Sequence, residues 1–143
     1  MKDAFGGIVN IVLVAIFLVI VSGILGLVVN YTKAFRMKNA VISTIEQYDG
    51  AKGCFTESKG CSNKIVEKAQ SFGYYPPSIN CSKSDGYENG YGLFCYKENT
   101  TSEGTIYTII TQVDINIPII NKIMGLSIFQ VHGDTRIIRN KYY

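Results

Sequence analysis

The sequence has no tryptophan and one histidine, and from position 4 to position 32 it carries no charged side chain. The shortage of histidine removes most metal and nucleophilic chemistry. His132 lies far from either cysteine pair, and the intervals from Cys54 to Cys61 and from Cys81 to Cys95, six and thirteen residues, differ from the C-x2-C pairs that hold zinc. Asp85, Glu88 and Asn89 are close together, but they fall short of the about six to eight oxygen ligands of a dedicated calcium loop and read as solvated turn residues. A nucleophile would need a base and an elbow such as G-x-S-x-G, and none is present. His132 is therefore expected to be structural or surface-exposed, and the chain to be non-enzymatic, with no metal and no cofactor.

A concentrated basic face is also missing. Net charge is +3, yet residues 50–121 hold six lysines against seven acids, and the excess sits in Lys33, Arg36 and Lys38 and in Arg136, Arg139 and Lys141. Nucleic acid is not an expected partner.

What the chain does have is a long apolar run. Residues 8–29 (IVNIVLVAIFLVIVSGILGLVV) are interrupted only by Asn10, Ser22, Gly23 and Gly26. A bilayer core takes about 20 apolar helical residues, and a Lys or Asp at its centre costs about 2.5–3.5 kcal/mol, so the run reads as a membrane span with lipid as its first partner. It is longer than the roughly 7–15 apolar residues of a signal peptide, and residues 21–23 (VSG) make a poor cleavage site. A retained anchor is expected. Asn10, together with the small pair Ser22 and Gly26, are devices by which helices associate in lipid, through an interhelical amide bond of about 0.6–2 kcal/mol and close backbone approach. Other copies of the chain, or related subunits, are expected on that face.

After the span about 110 residues remain, enough for one small domain and no more. All four cysteines fall here, which favours disulfides. Four cysteines allow three connectivities; the local pairing, Cys54–Cys61 with Cys81–Cys95, is expected because each loop closes around a turn-rich segment. A fifteen-residue loop contributes about 3 kcal/mol in the chain-entropy account. Disulfides also imply an oxidising compartment. Lys33, Arg36 and Lys38 follow the span while Lys2 is nearly alone before it, so the positive-inside rule points the other way. The redox argument outweighs it, giving a single-pass topology with the N-terminus cytoplasmic and the domain outside.

Met37, Val41, Ile45 and Tyr48 continue the helical period past the membrane, which predicts one helix over residues 4–48, ended by Asp49-Gly50. Residues 1–49 thus form a membrane-spanning and assembly helix, and residues 50–143 a small disulfide-containing domain. Within the latter, residues 51–60 read as a loop, Ser62 as the N-cap of a short helix over 64–70, and Gly73 as its stop. Residues 74–92, rich in Pro, Ser, Asn, Gly and Asp, read as turns. A strand begins at 93–96. Alternation of Tyr107, Ile109, Val113, Ile115 and Ile117 with Thr108, Gln112, Asp114 and Asn116 predicts another over 105–117. After a connector over 118–125, a last strand runs over 126–139, with Phe129, Val131, Thr135 and Ile137 on one face and Gly133 marking a bulge or kink. Three antiparallel strands on the outer half of the long helix make an α+β domain.

Tyr74, Tyr75, Tyr87 and Tyr91 have two readings: an aromatic binding surface for a glycan or partner protein, or packing for a domain that has no tryptophan. Asn80 and Asn99 begin N-x-[ST] sequons, which matter only in a host that glycosylates.

The stretch through residue 48, together with VDINIPII at 113–120 and IFQVHGDT at 128–135, resembles the type IV pilin superfamily. More narrowly it resembles the TadE-like minor pilins, or pseudopilins, of tight-adherence (Flp) systems. The resemblance covers roughly half of the chain and is one of pattern. It implies an N-terminal helix that first anchors the subunit and then packs in a filament core, its outer half lying on a small antiparallel sheet with disulfide-pinned loops. It implies a structural subunit of a bacterial surface filament or of its assembly machine. It also implies peptidase processing after Gly6 or Gly7, which would place Ile11 or Val12 at the fifth mature position, where the family commonly has glutamate. A different class, a single-pass anchored extracellular binding module using the tyrosine-rich loops, fits the same composition.

Overall fold

Helix α1 runs unbroken over Lys2–Gln47, and the computed structural model, which describes residues 2–51, 53–57, 59–76, 79–114 and 128–139, gives it two environments. Along the first half, large apolar side chains such as Leu13, Phe17 and Leu25 remain more than half exposed. Along the second, Ala34, Met37, Val41 and Ile45 are fully buried. Their three- and four-residue spacing lines them up on one stripe. The helix stops where Asp49 and Gly50 take positive φ (54° and 121°), with the Gly50 amide donating back to the Ile45 carbonyl.

A π-helical turn, Gly53–Glu57, occupies the segment expected to be a loop. Helix α2, Lys59–Phe72, starts earlier than the sequence suggests, so Ser62 lies inside it and is not its N-cap. The reason is packing: Cys61, Ile65 and Ala69 are all buried at four-residue intervals, and the extra turn brings Cys61 to Cys54. Gly73 does stop the helix. Its φ of 60° permits a Schellman closure, with the Tyr74 amide donating to the Ala69 carbonyl and the Gly73 amide to that of Gln70.

The sheet is an antiparallel meander of four described strands, β1 (Glu88–Gly90), β2 (Phe94–Thr101), β3 (Gly104–Asp114) and β4 (Ile128–Asp134), in that spatial order. The expected count was three. The added edge strand β1 comes from the supposed turn region, where the Glu88 carboxylate accepts a hydrogen bond from Tyr96 across the pair. The 115–117 end of the expected second strand, the connector at 118–125, the 126–127 start of the expected last strand and residues 140–143 lie outside the described residues.

Gly133 is no bulge: the β3–β4 register runs without a slip from Thr108↔Asp134 to Asp114↔Ile128. A Cβ placed there would sit 2.7 Å from Lys38 Cδ and 3.0 Å from Ile42 Cδ1. The glycine lets α1 approach the sheet. β4 in fact climbs alongside α1, Phe129 lying by Tyr31, Gly133 by Lys38 and Ile42, and Arg136 by Glu46. Seven residues of strand at about 3.3 Å each match fifteen of helix at about 1.5 Å, so the two run side by side.

The core lies between that helix stripe, α2 and the inner sheet face, with Phe94, Tyr107, Ile109, Val113 and Val131 from the strands. Thr111 ties the layers by donating its hydroxyl to the Ala34 carbonyl at 3.0 Å. Sequence alternation puts Gln112 on a polar face, but it is buried. The loop carrying Ile79 and Cys81 covers Ile110 on the same outer face, so central strand β3 is enclosed on both sides there.

Candidate functional site

The two disulfides divide the domain's irregular segments between the two sheet faces. Cys54–Cys61, with Cα atoms 5.1 Å apart, joins the π-helical turn to α2 within the main core. Cys81–Cys95, at 5.6 Å, fastens the 79–86 loop to β2 on the outer face. The local connectivity expected from spacing is the one the structure contains.

The tyrosines do not form one surface. Tyr74 is buried, and its hydroxyl lies 3.0 Å from the Gln112 carbonyl and 3.1 Å from the Gln112 amide. Burial pushes this phenol up to about 12, a rise that the backbone hydrogen bond with Gln112 opposes. Tyr91 packs edge-on against Phe55, which also meets Phe94 and Tyr96, in an aromatic cluster beside the π-helical turn. Tyr87 is half-buried on the outer face with Lys97 Nζ 5.7 Å from its ring. Tyr75 alone projects freely, at 73% exposure. Of the two readings, packing describes Tyr74, which serves the core, while Tyr75, Tyr87 and Tyr91 stand in the separate settings just described.

Asp85, Glu88 and Asn89 of the same region are engaged separately. Asp85 accepts from the Ser82 hydroxyl, Glu88 from the Tyr96 hydroxyl, and Asn89 Oδ1 from the Gly92 amide. Among the described residues no three His, Cys, Asp or Glu side chains converge as a metal site would require. Burial first, then the Glu88 hydrogen bond, raises the Tyr96 phenol above its ordinary value.

A cavity of about 300 Å³ opens on the outer face, between the Cys81–Cys95 bridge and β4. Asn80, Asp85 and Tyr87 line one side, Gln130 and His132 the other, and Ile110 forms part of its wall. His132 is exposed there. Sequence reading treats it as an isolated residue; strand register sets it opposite Ile110, and only the pairing reveals that neighbourhood.

On α1, Ser22 spends its hydroxyl on the Leu18 and Val19 carbonyls of its own helix. Asn10 and Gly26 are exposed, and a Cβ on Gly6, Gly7 or Gly26 would meet nothing within 4 Å. The helix is long and apolar enough to cross a membrane. Of the three cations after the apolar run, Lys38 is buried, its Nζ 4.3 Å from the Phe35 ring centre. Its charge therefore belongs to the domain's packing rather than to a free basic cluster.

No family model, no characterised protein and no solved structure matches this chain. Function has to be argued from its own geometry.

Proposed function

We propose that this chain is a non-enzymatic, pilin-like structural subunit of a bacterial surface filament or its assembly machine, akin to the TadE-like minor pilins. In this reading α1 is a single-pass anchor with its N-terminus cytoplasmic and the disulfide domain outside. One feature supports it above the rest: the helix carrying the apolar run is the same unbroken helix whose far half forms the domain core. An anchor for a tethered module needs only a flexible linker. A rod built into the domain fixes the domain's orientation relative to neighbouring helices, as an assembling subunit requires. Small and polar side chains at Asn10, Ser22 and Gly26 would then let copies approach within lipid.

Intact mass of protein from sheared cell-surface material, with and without reduction, tests the reading. The expected mass lacks residues 1–6 or 1–7 and gains four hydrogens on reduction of the two bridges. Full-length protein confined to the membrane fraction would overturn the filament assignment. A second reading, an anchored extracellular binding module, is favoured by the outer-face cavity with its Asn, Asp, Gln, His and Tyr lining. Saturable ligand binding by membrane-resident protein, without any filament, would support that instead.

A further inference from the structure

Where α1 leaves its apolar run, aromatic rings are exposed among the polar residues. Tyr31 and Phe35 stack at 6.3 Å, and Phe129 at the start of β4 lies 6.1 Å from Tyr31. All three are 40–49% exposed, as is the neighbouring Ile128 at 44%. Adjoining exposed rings of this kind gain free energy when something covers them.

Their height identifies the cover. Tyr31 follows the run's last residue, Val29, by two positions and Phe35 by six, which puts them about 3 and 9 Å beyond the hydrocarbon edge at 1.5 Å per residue. The polar layer on each side of a bilayer's core is roughly 5–8 Å deep, so Tyr31 falls within it and Phe35 at its outer edge. Tyr rings are favoured there, with one end apolar and one wet, and Phe35 and Phe129 pack against Tyr31. The charges agree. Arg36 is exposed on the same helical level with no carboxylate paired to it among the described residues, while Lys33 Nζ lies 3.7 Å from a Cβ built on Gly73.

We infer that Tyr31 and Phe129, with Phe35 and Arg36 at its outer edge, seat the domain on the phosphate and glycerol layer of the bilayer that α1 crosses. The surface is continuous with the span and its partner is lipid. This rests on the anchored reading above, and adds that β4 begins in the headgroup layer rather than standing clear of it.

The absence of native tryptophan supplies the test. Full-length Phe129→Trp, in phosphatidylcholine vesicles containing phosphatidylglycerol, is compared with Phe17→Trp in the span and Tyr91→Trp on the far aromatic cluster. Lipids carry a spin label on the headgroup or in mid-chain. Phe129→Trp should emit at shorter wavelength than Tyr91→Trp and be quenched several-fold more by the headgroup label. Phe17→Trp should respond to the chain label. Quenching of Phe129→Trp no greater than that of Tyr91→Trp, with Phe17→Trp still quenched, would overturn the seating and leave the anchor standing. A blue-shifted but unquenched Phe129→Trp, reverting on dilution with lipid, would assign the surface to a second copy and also overturn it. If Phe17→Trp escapes the chain label, both anchor and seating fail. Tyr31→Trp, the milder change, must give the same headgroup pattern; its failure to do so while folded with both disulfides counts against the inference.

Discussion

The Tyr74 hydroxyl stands in for a missing strand at Gln112, donating to its carbonyl oxygen and accepting from its amide. β2 begins at Phe94, and its Cys95 pairs with Ile110, so no β2 residue reaches Gln112. Both backbone groups of Gln112 would otherwise be buried without partners. The Gln112 side chain already leaves Oε1 buried and unbonded among the described residues. One such defect is tolerable; three on one residue would be costly.

Tyr74→Phe keeps the ring and removes the hydroxyl. It should lower unfolding stability by about 1–3 kcal/mol, the cost of leaving buried backbone groups unsatisfied. Denaturant titration of the full chain in detergent, followed by circular dichroism, measures this; an unchanged midpoint would mean that water reaches Gln112.

Alkaline pH should act through the same residue. Tyr74 is raised from 10.0 to about 12, and Tyr107 is also raised, by burial first. Between the unfolded and folded values the native state holds protons that the unfolded chain has lost, so stability is full below about pH 10 and falls as pH rises through the folded value. Thermal melts across that window should show the decline, and Tyr74→Phe should make it shallower.

Gly133→Ala should destabilise by about 1–3 kcal/mol, since the new methyl meets Lys38 Cδ and Ile42 Cδ1. Lys38→Ala removes one of these two neighbours. In a double-mutant cycle the alanine at 133 should therefore cost less in the Lys38→Ala background; strict additivity would show that the helix moves as a body instead.

Replacing Cys81 and Cys95 together by serine should cost about 2–4 kcal/mol in the chain-entropy account and open the outer-face cavity, because the bridge is part of its wall. Hydrogen exchange should then rise in residues 79–86 before it rises in β3. Uniform loss of protection would show that the loop and sheet unfold as one unit.

The long helix, its inner stripe, the disulfide pairs and the β3 alternation were all readable because each rests on a local period or spacing. Three features were not. Lys59–Phe72 begins where the burial of Cys61 requires, which a search for a cap at Ser62 misses. The three-residue β1 has no period to detect, and only its neighbour β2 makes it a strand. Gly133 has an ordinary sequence signature for a bulge, and only the proximity of Lys38 and Ile42 gives its real cause. The cavity likewise joins Asn80 and Asp85 to Gln130 and His132 across strand pairing that no linear pattern encodes.

Because α1 continues from its apolar run into the core with no hinge, a domain anchored as proposed would inherit whatever tilt the bilayer imposes. A helix inclined at about 20°, a common value in membranes, would carry the Glu46–Arg136 end sideways by roughly 8 Å relative to Tyr31, over the roughly 22 Å of helix between them. In that anchored arrangement the chain would be a lever whose fulcrum lies at the lipid surface. Local membrane thickness would then become a mechanical input, turned directly into the angle at which the disulfide domain stands from the bilayer.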